Sequence, residues 1–249
     1  MSKHNYILTI AGFDPSGGAG LLADVKTFEQ IKCLGMAVQT ANTVQTEDEF
    51  LSVNWIDEKA VIHQLNTLLS KYRFDYIKIG LVPNIEFLKN AIQICKDANP
   101  KSKIIWDPIL SVSAGFNFNH QLDSLKDVLD QIFIITPNWD EVKILANVSD
   151  SVEGAKELSK LTKVYLKGGH NPKDLGKDYL FDGEIQKAFN PKKSNKTFYS
   201  KHGSGCVLSS AIAANLLQGY PLQKAILKSK RYTEGFLGSN SSLLGKHRL

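Results

Sequence analysis

Cysteine is sparse in this chain, and long apolar runs are missing altogether. The three cysteines among its 249 residues, Cys33, Cys95 and Cys206, are odd in number and far apart. They offer neither a disulfide framework nor a metal-ligand spacing, so a reducing cytoplasm is the expected compartment. No stretch approaches the roughly 20 consecutive apolar residues that a membrane span needs. Met1-Ser2-Lys3-His4-Asn5 leads into an apolar segment too short for a secretory core. The chain also lacks a Walker A pattern and any Gly-x-Gly-x-x-Gly fingerprint in strand context, which removes support from the two common nucleotide-binding folds. No Pro/Gly/Ser-rich linker, internal repeat or low-complexity tract divides the chain. A single domain over residues 1–249 is expected.

The charge excess is small, a formal +5. Lysines gather at Lys187, Lys192, Lys193, Lys196 and Lys201, and again at Lys224, Lys228 and Lys230 with Arg231. No aromatic interleaving or nucleic-acid module accompanies them, so no nucleic-acid partner is expected. Solvated lysines, or a field that draws in anionic nucleotides, account for them.

What is present is an alternation of short β-rich runs and helical patterns. Tyr6–Ala11 reads as a strand, and Leu21, Leu22, Val25, Phe28 and Ile31 then repeat at helical spacing. Further strands are expected at Met36–Val44, Tyr76–Ile79, Ile104–Trp106, Ile132–Ile135 and Val164–Leu166. Asp57 and Asn84 suit helix N-caps. Tyr179–Phe181 and Glu184–Phe189 flank Asp182-Gly183 as a hairpin. Two helices, from about Cys206 and Pro221, close the chain. Alternation of this kind predicts an α/β fold, an α/β/α sandwich around a mostly parallel sheet. Ligands of such sheets bind beyond the carboxyl ends of the strands.

The residues capable of chemistry fall at those ends. Gly203-Ser204-Gly205-Cys206 opens a small-residue apolar helix, where unpartnered N–H groups and the helix dipole favour an anion. The positive helix end in that first turn favours the Cys206 thiolate and incoming phosphates oppose it, and the sequence does not decide between them. The same segment also fits a helix junction with glycine spacers and a buried structural cysteine. Four glycines crowd Gly12–Gly20, a conformational cost that close backbone approach to a ligand would justify. Asp107, before Pro108, suits either a magnesium or proton site or a simple turn. Glu141 follows Asn138 by three positions, as in a capping box. Lys167 precedes two glycines at a strand end, where it could meet a phosphate.

Together these words resemble the hydroxymethylpyrimidine/phosphomethylpyrimidine kinases of thiamine biosynthesis, within the ribokinase-like superfamily. The matching words are Leu8-Thr9-Ile10-Ala11-Gly12-x-Asp14-Pro15-Ser16-Gly17-Gly18-Ala19-Gly20 and Ala23-Asp24-x-Lys26-Thr27-Phe28, then Lys78-Ile79-Gly80 and Asp107-Pro108. Ile135-Thr136-Pro137-Asn138-x-x-Glu141, Lys167-Gly168-Gly169-His170 and His202-Gly203-x-Gly205-Cys206-x-Leu208-Ser209 continue the match, which runs from about residue 6 to 232. The resemblance implies an ATP-dependent, Mg²⁺-requiring kinase of 4-amino-5-hydroxymethyl-2-methylpyrimidine and its monophosphate, active as a homodimer. It further implies that Gly203, Ser204 and Gly205 donate to the transferring phosphoryl and that Cys206 faces the hydroxymethyl. Asp107 and Glu141 would organise Mg²⁺, Asn138 and Lys167 would bind ATP, and Gly12, Asp24, Thr43, Gln45, Leu81 and Ile109 would hold the pyrimidine. Gln45 can donate and accept, matching an aminopyrimidine edge. Cys33 and Cys95 read as helix packing residues. Departures from the pattern are Phe13, Leu81-Val82, Ser111–Gly115 without the usual lysine, Thr46–Asn54, and a tail after Ser239 with no family match. Pyridoxal kinase is the alternative within the fold. A non-catalytic pyrimidine-binding regulator is the alternative outside enzymes, though such a protein needs no phosphate apparatus.

Overall fold

Alternate residues of the buried strands face two different cores, and this division explains the layered architecture. The computed structural model describes residues 5–110, 122–193 and 197–248; Ser111–Gly115, one of the departures noted above, lies outside them. In chain order the elements begin with β1 (Tyr6–Phe13), α1 (Gly20–Gln30), β2 (Leu34–Gln45), β3 (Phe50–Trp55), α2 (Glu58–Lys71) and β4 (Tyr76–Ile79). There follow α3 (Ile85–Ala98), β5 (Lys103–Trp106), α4 (Leu122–Leu129), β6 (Ile134–Ile135), α5 (Trp139–Ala146), α6 (Ser151–Leu158) and β7 (Lys163–Leu166). The chain ends with β8 (Asp178–Asp182), β9 (Ile185–Phe189), α7 (Ser204–Leu217) and α8 (Leu222–Leu237).

Side chains alternate across a strand, so a run of uniformly apolar residues serves both faces of a sheet. Ile104, Trp106, Ile135, Val164 and Leu166 join the core beneath α2 to α6. Their neighbours Ile105, Ile134 and Tyr165 join the opposite core, with α1, α7 and α8. Helix α7 is buried from Cys206 through Leu217, consistent with its apolar character all round. The nine strands run in the order β3-β2-β1-β4-β5-β6-β7-β8-β9. β2, β1, β4, β5, β6 and β7 pair in parallel, whereas β3, β8 and β9 join antiparallel at the edges. Asp57 and Asn84 do cap α2 and α3, accepting from the Ala60 and Phe87 amides at 3.2 and 2.8 Å.

Three elements carried no expectation from the sequence. β3 pairs only with β2 and leaves most of its side chains to solvent, although Leu51, Val53 and Trp55 alternate with Ser52 and Asn54 at strand period. α4 is a short, eight-residue helix. α6 runs unbroken through Gly154, a poor helix former; there a Cβ would lie 3.1 Å from the Val142 carbonyl oxygen, so glycine is what lets α6 approach α5. The β8–β9 loop is Gly183-Glu184, because Asp182 already pairs with Ile185. Only Gly183 has positive φ, as the first position of a type II′ turn requires. Cys95 lies in α3, but Cys33 lies in the turn after α1 rather than in a helix, with its thiol directed at the Ala214 carbonyl of α7.

The face shared with α1 and α7 carries one group that an apolar core does not ordinarily contain. Lys78 of β4 and Asp24 of α1 are both fully buried and pair at 2.8 Å. Thr9 and Ser210 donate to the same carboxylate, each at 2.6 Å. Removing one member of a buried pair strands the other charge, at a typical cost of about 3–5 kcal/mol. Lys78→Met should therefore lower the urea midpoint sharply, and the double change Lys78→Met/Asp24→Leu should recover part of the loss. A single variant that unfolds at the wild-type midpoint would show that Asp24 tolerates isolation.

Candidate active site

Because β1, β4, β5, β6 and β7 run parallel, their carboxyl ends open on one edge of the sheet. The loops that leave them enclose a cavity of about 800 Å³. Three groups of residues line it. Gly12, Thr43, Gln45, Leu81 and Ile109 form one wall, to which Phe13 and Phe50 add aromatic surface. Asp107, Asn138, Glu141 and Lys167 form a second. Gly203, Ser204, Gly205 and Cys206 form a third. Asp24 is the one residue of the sequence-derived set that does not reach the cavity. Its oxygens are occupied by Lys78, Thr9 and Ser210 beneath the floor, so placing it on the substrate wall needs correction.

The third wall is built from the N-terminus of α7. α7 starts at Ser204, after Gly203 in the left-handed region with φ of 72°. A Cβ on Gly203 would lie 2.0 Å from the Gly18 carbonyl oxygen, so only glycine lets this turn meet the first glycine loop. The first-turn N–H groups and the positive end of the dipole face the cavity. Gly20 is bound to the same geometry, since its Cβ would lie 2.3 Å from the Gly12 oxygen.

The second wall holds two carboxylates and one lysine. Lys167 Nζ lies 2.8 Å from Asp107 Oδ1 and 3.7 Å from Glu141 Oε2. Asp107 also accepts from Thr136 at 2.9 Å and, through Oδ2, from Ser209 at 3.0 Å. Burial alone would raise its pKa, but Lys167 and Lys78 outweigh burial and hold the carboxyl below its usual range. Burial dominates at Glu141 and raises its pKa, with Lys167 opposing and Asp107 reinforcing the shift. For Lys167 burial favours the neutral amine, yet the two carboxylates prevail and the net shift is upward. Glu141 and Asn138 do form the capping box: Asn138 N–H donates to Glu141 Oε2 at 2.7 Å, and Asn138 Oδ1 accepts from the Glu141 amide at 2.9 Å. Capping and a place beside Lys167 are thus compatible in one side chain.

The protonation of Cys206, which the sequence leaves open, is decided by burial. Burial pushes the thiol up to about 11 against the helix end. Lys78 and a hydrogen bond from the Gly20 amide pull the other way without overcoming burial. The resting thiol therefore keeps its proton near neutral pH. On the first wall, Gln45 donates to Thr43 at 2.8 Å and Thr43 donates to the Phe13 carbonyl at 2.9 Å. Asp14 and His202 complete the seam between first and third walls, 2.8 Å apart. Neither was singled out from the sequence, although both stand in the matching words; their signal was adjacency to the glycines, which local pattern does not convert into contact.

Magnesium takes oxygen ligands and is usually held by one or two carboxylates together with phosphate oxygens and water. Asp107 and Glu141 are that kind of donor set. Among the described residues no group of three or more ligating side chains could hold a metal ion unaided. The residues therefore fit a magnesium ion that arrives with a nucleotide.

Residues 14–248 match the family described as phosphomethylpyrimidine kinase, a range that takes in the tail after Ser239 and corrects its reading as unmatched. The hydroxymethylpyrimidine/phosphomethylpyrimidine kinase of Aquifex aeolicus is 35% identical over 96% of both chains. Other curated relatives are longer, and the chain spans 45–48% of their length. Among solved structures, a phosphomethylpyrimidine kinase from Clostridium difficile superposes with a TM-score of 0.75 at 30% identity, covering 91% of this chain and 98% of that one. An ADP complex of Bacillus subtilis pyridoxal kinase superposes at 0.84 with 25% identity, covering 97% and 96%. The fold is thus ribokinase-like, and the chain belongs to the phosphomethylpyrimidine kinase family.

Proposed function

We propose that the protein, acting as one domain over residues 1–249, uses ATP to phosphorylate the hydroxymethyl group of 4-amino-5-hydroxymethyl-2-methylpyrimidine and of its monophosphate. The observation that carries this reading is the arrangement of the α7 N-terminus and Cys206 opposite Lys167, Asp107 and Glu141 around one cavity. Gly12, Leu81 and Ile109 give a small aromatic ring an apolar seat. Thr43 and Gln45 give its polar edge partners, since the Gln45 amide can both donate and accept. Asn138 and Lys167 belong to the ATP side. Mg²⁺, held with its waters by Asp107 and Glu141, would neutralise charge building on the phosphates. Gly203, Ser204 and Gly205 offer backbone N–H groups to the transferring phosphoryl, and Lys167 keeps a positive charge beside it.

A loose phosphoryl-transfer transition state asks little of a base, and positioning supplies most of the catalysis. A protonated Cys206 is compatible with that demand, as the group that orients the substrate hydroxyl. Pyridoxal is the second substrate to consider, because the pyridoxal kinase from Bacillus subtilis superposes more closely than the pyrimidine kinase does. A homodimer in the cytoplasm belongs to the same proposal. Val44 and Leu51, 45% and 64% exposed on the β2–β3 ribbon beside the first wall, supply apolar surface for pairing. Among the described residues no helix is long and apolar enough to cross a membrane.

Steady-state kinetics with the pyrimidine alcohol, its monophosphate and pyridoxal, run side by side, test the substrate assignment; turnover of pyridoxal alone would reverse it. Light scattering at micromolar concentration should give a dimer mass, and a monomer would remove the pairing. Cys206→Ala should cut kcat for the pyrimidine alcohol by more than about tenfold, since positioning of the hydroxyl supplies much of the catalysis. Cys33→Ala and Cys95→Ala, away from the cavity, should turn over nearly normally. Full activity of Cys206→Ala would reduce this cysteine to packing. Gln45→Leu should weaken the pyrimidine by about 1–3 kcal/mol through an unpaired polar group, leaving ATP binding intact. Equal weakening of both ligands in titration calorimetry would place Gln45 elsewhere. Alkylation of Cys206 by iodoacetamide, followed by peptide mass mapping, should rise about tenfold per pH unit between pH 7 and 9 without levelling, because the thiolate is a minor species there. A plateau near pH 7 would mean that the helix end prevails over burial.

A further inference from the structure

The C-terminal segment after α8 folds back onto the turn that introduces the anion site. Lys201, two residues before Gly203, is 5% exposed and lines the cavity. Its ammonium donates to the Asn240 carbonyl at 2.7 Å, to Asn240 Oδ1 at 3.1 Å and to the Ser242 carbonyl. Three N–H bonds meet three oxygens, and all three oxygens are neutral. The Tyr199 ring, with its centroid 5.4 Å from the same ammonium, adds no charge either.

The other lysines of the interior are built differently. Lys78 pairs with Asp24 at 2.8 Å, Lys230 with Asp178 at 2.7 Å, and Lys167 with Asp107 at 2.8 Å. Each of those charges is cancelled locally. Among the described residues Lys201 has no carboxylate within ion-pair distance, so its charge is not cancelled locally as theirs is. Unneutralised cations of this kind act over several ångströms where water is excluded.

The segment is tied down at other points. The Leu243 carbonyl accepts from the His202 amide at 3.0 Å. Asn240 Nδ2 donates to the Leu244 carbonyl at 3.0 Å, closing the turn on itself. The Leu244 side chain covers Gly18 of the first glycine loop. His247 reaches the Tyr232 hydroxyl at 3.0 Å and Thr27 of α1 at 3.4 Å. His202, held from behind by Leu243, presents Nε2 to Asp14 at 2.8 Å. Both phosphate-facing loops are therefore braced by residues 239–247.

We propose that this segment is a strap that holds Lys201 as an uncompensated cation beside the α7 N-terminus, where it draws a polyphosphate into the site. Lys201 is a positioning residue on this view: its N–H groups are spent on the strap, and its charge acts on the ligand at a distance. The proposal rests on the kinase reading and deepens it.

Calorimetric binding of ATP and of adenosine separates charge from fold. Lys201→Met should weaken ATP by about tenfold, equivalent to about 1.4 kcal/mol, and leave adenosine affinity unchanged. Lys201→Arg, which keeps the charge, should recover most of the ATP affinity. Asn240→Ala removes one cage oxygen and the bond that closes the turn, so it should weaken ATP in the same direction but less. Combined with Lys201→Met it should add nothing further. Raised salt should narrow the gap between wild type and Lys201→Met. Equal ATP affinity in a folded Lys201→Met protein would overturn the proposal, as would a loss shared by adenosine. A wild-type protein that binds neither ligand would instead overturn the kinase reading on which it stands.

Discussion

Ser209 and Ser210 lie three and four residues beyond Cys206 and donate to different buried carboxylates, Asp107 and Asp24. Each carboxylate in turn holds a lysine from the end or the middle of a parallel strand. The first turns of α7 are thereby fastened to the sheet through two hydroxyl–carboxylate–ammonium chains. Neither chain is worth much as net stability, because desolvating charges costs about as much as pairing them returns. What the chains supply is location. An α7 displaced along the sheet would take one hydroxyl donor from each buried carboxylate, while Lys78 with Thr9 and Lys167 with Thr136 would stay in place. The position of the α7 N-terminus relative to Lys167 and Asp107 follows from that anchoring.

Burial and charge divide the labour between the two chains. The Asp24–Lys78 chain is sealed away from solvent, and its fields act on Cys206 from below. The Asp107–Lys167 chain sits at the cavity wall, where Glu141 adds a second acid that burial keeps easier to protonate. The cavity therefore sets a lysine and a helix N-terminus beside two carboxylates, Asp107 and Glu141, so both signs of charge face the same space.

The sequence made the parallel strands legible because their residues are apolar on both faces, as Ile104, Ile105 and Trp106 illustrate. The site walls were legible where a residue sits at a strand end or a helix start: Asp107, Lys167, Gly203 and Cys206 carry positional signals of that kind. Asp24 was misplaced because a matching word gives a residue's neighbourhood but not its direction, and the α1 side chain turns inward to Lys78. The protonation of Cys206 stayed open for a related reason. Local sequence exposes the helix dipole, but the depth of burial that outweighs it depends on loops brought together from Gly12–Gly20 and β4. α6 stayed hidden since it tolerates Gly154 only through contact with α5, whereas β3 carried a legible alternation in Leu51, Val53 and Trp55. For Asp24, Cys206 and α6, long-range partners decide the outcome.

The collision distance at Gly203 has a consequence for how this site can change. Because the turn before α7 and the loop after β1 meet backbone to backbone, with Gly18 and Gly203 in contact, neither segment has a side chain through which to absorb a shift of the other. An insertion, a substitution or a transplanted stretch in one segment must then be matched in its partner. The two glycine loops, about 185 residues apart along the chain, are in this respect a single heritable unit. Exchange of specificity between relatives should succeed when both are moved together and fail when either travels alone.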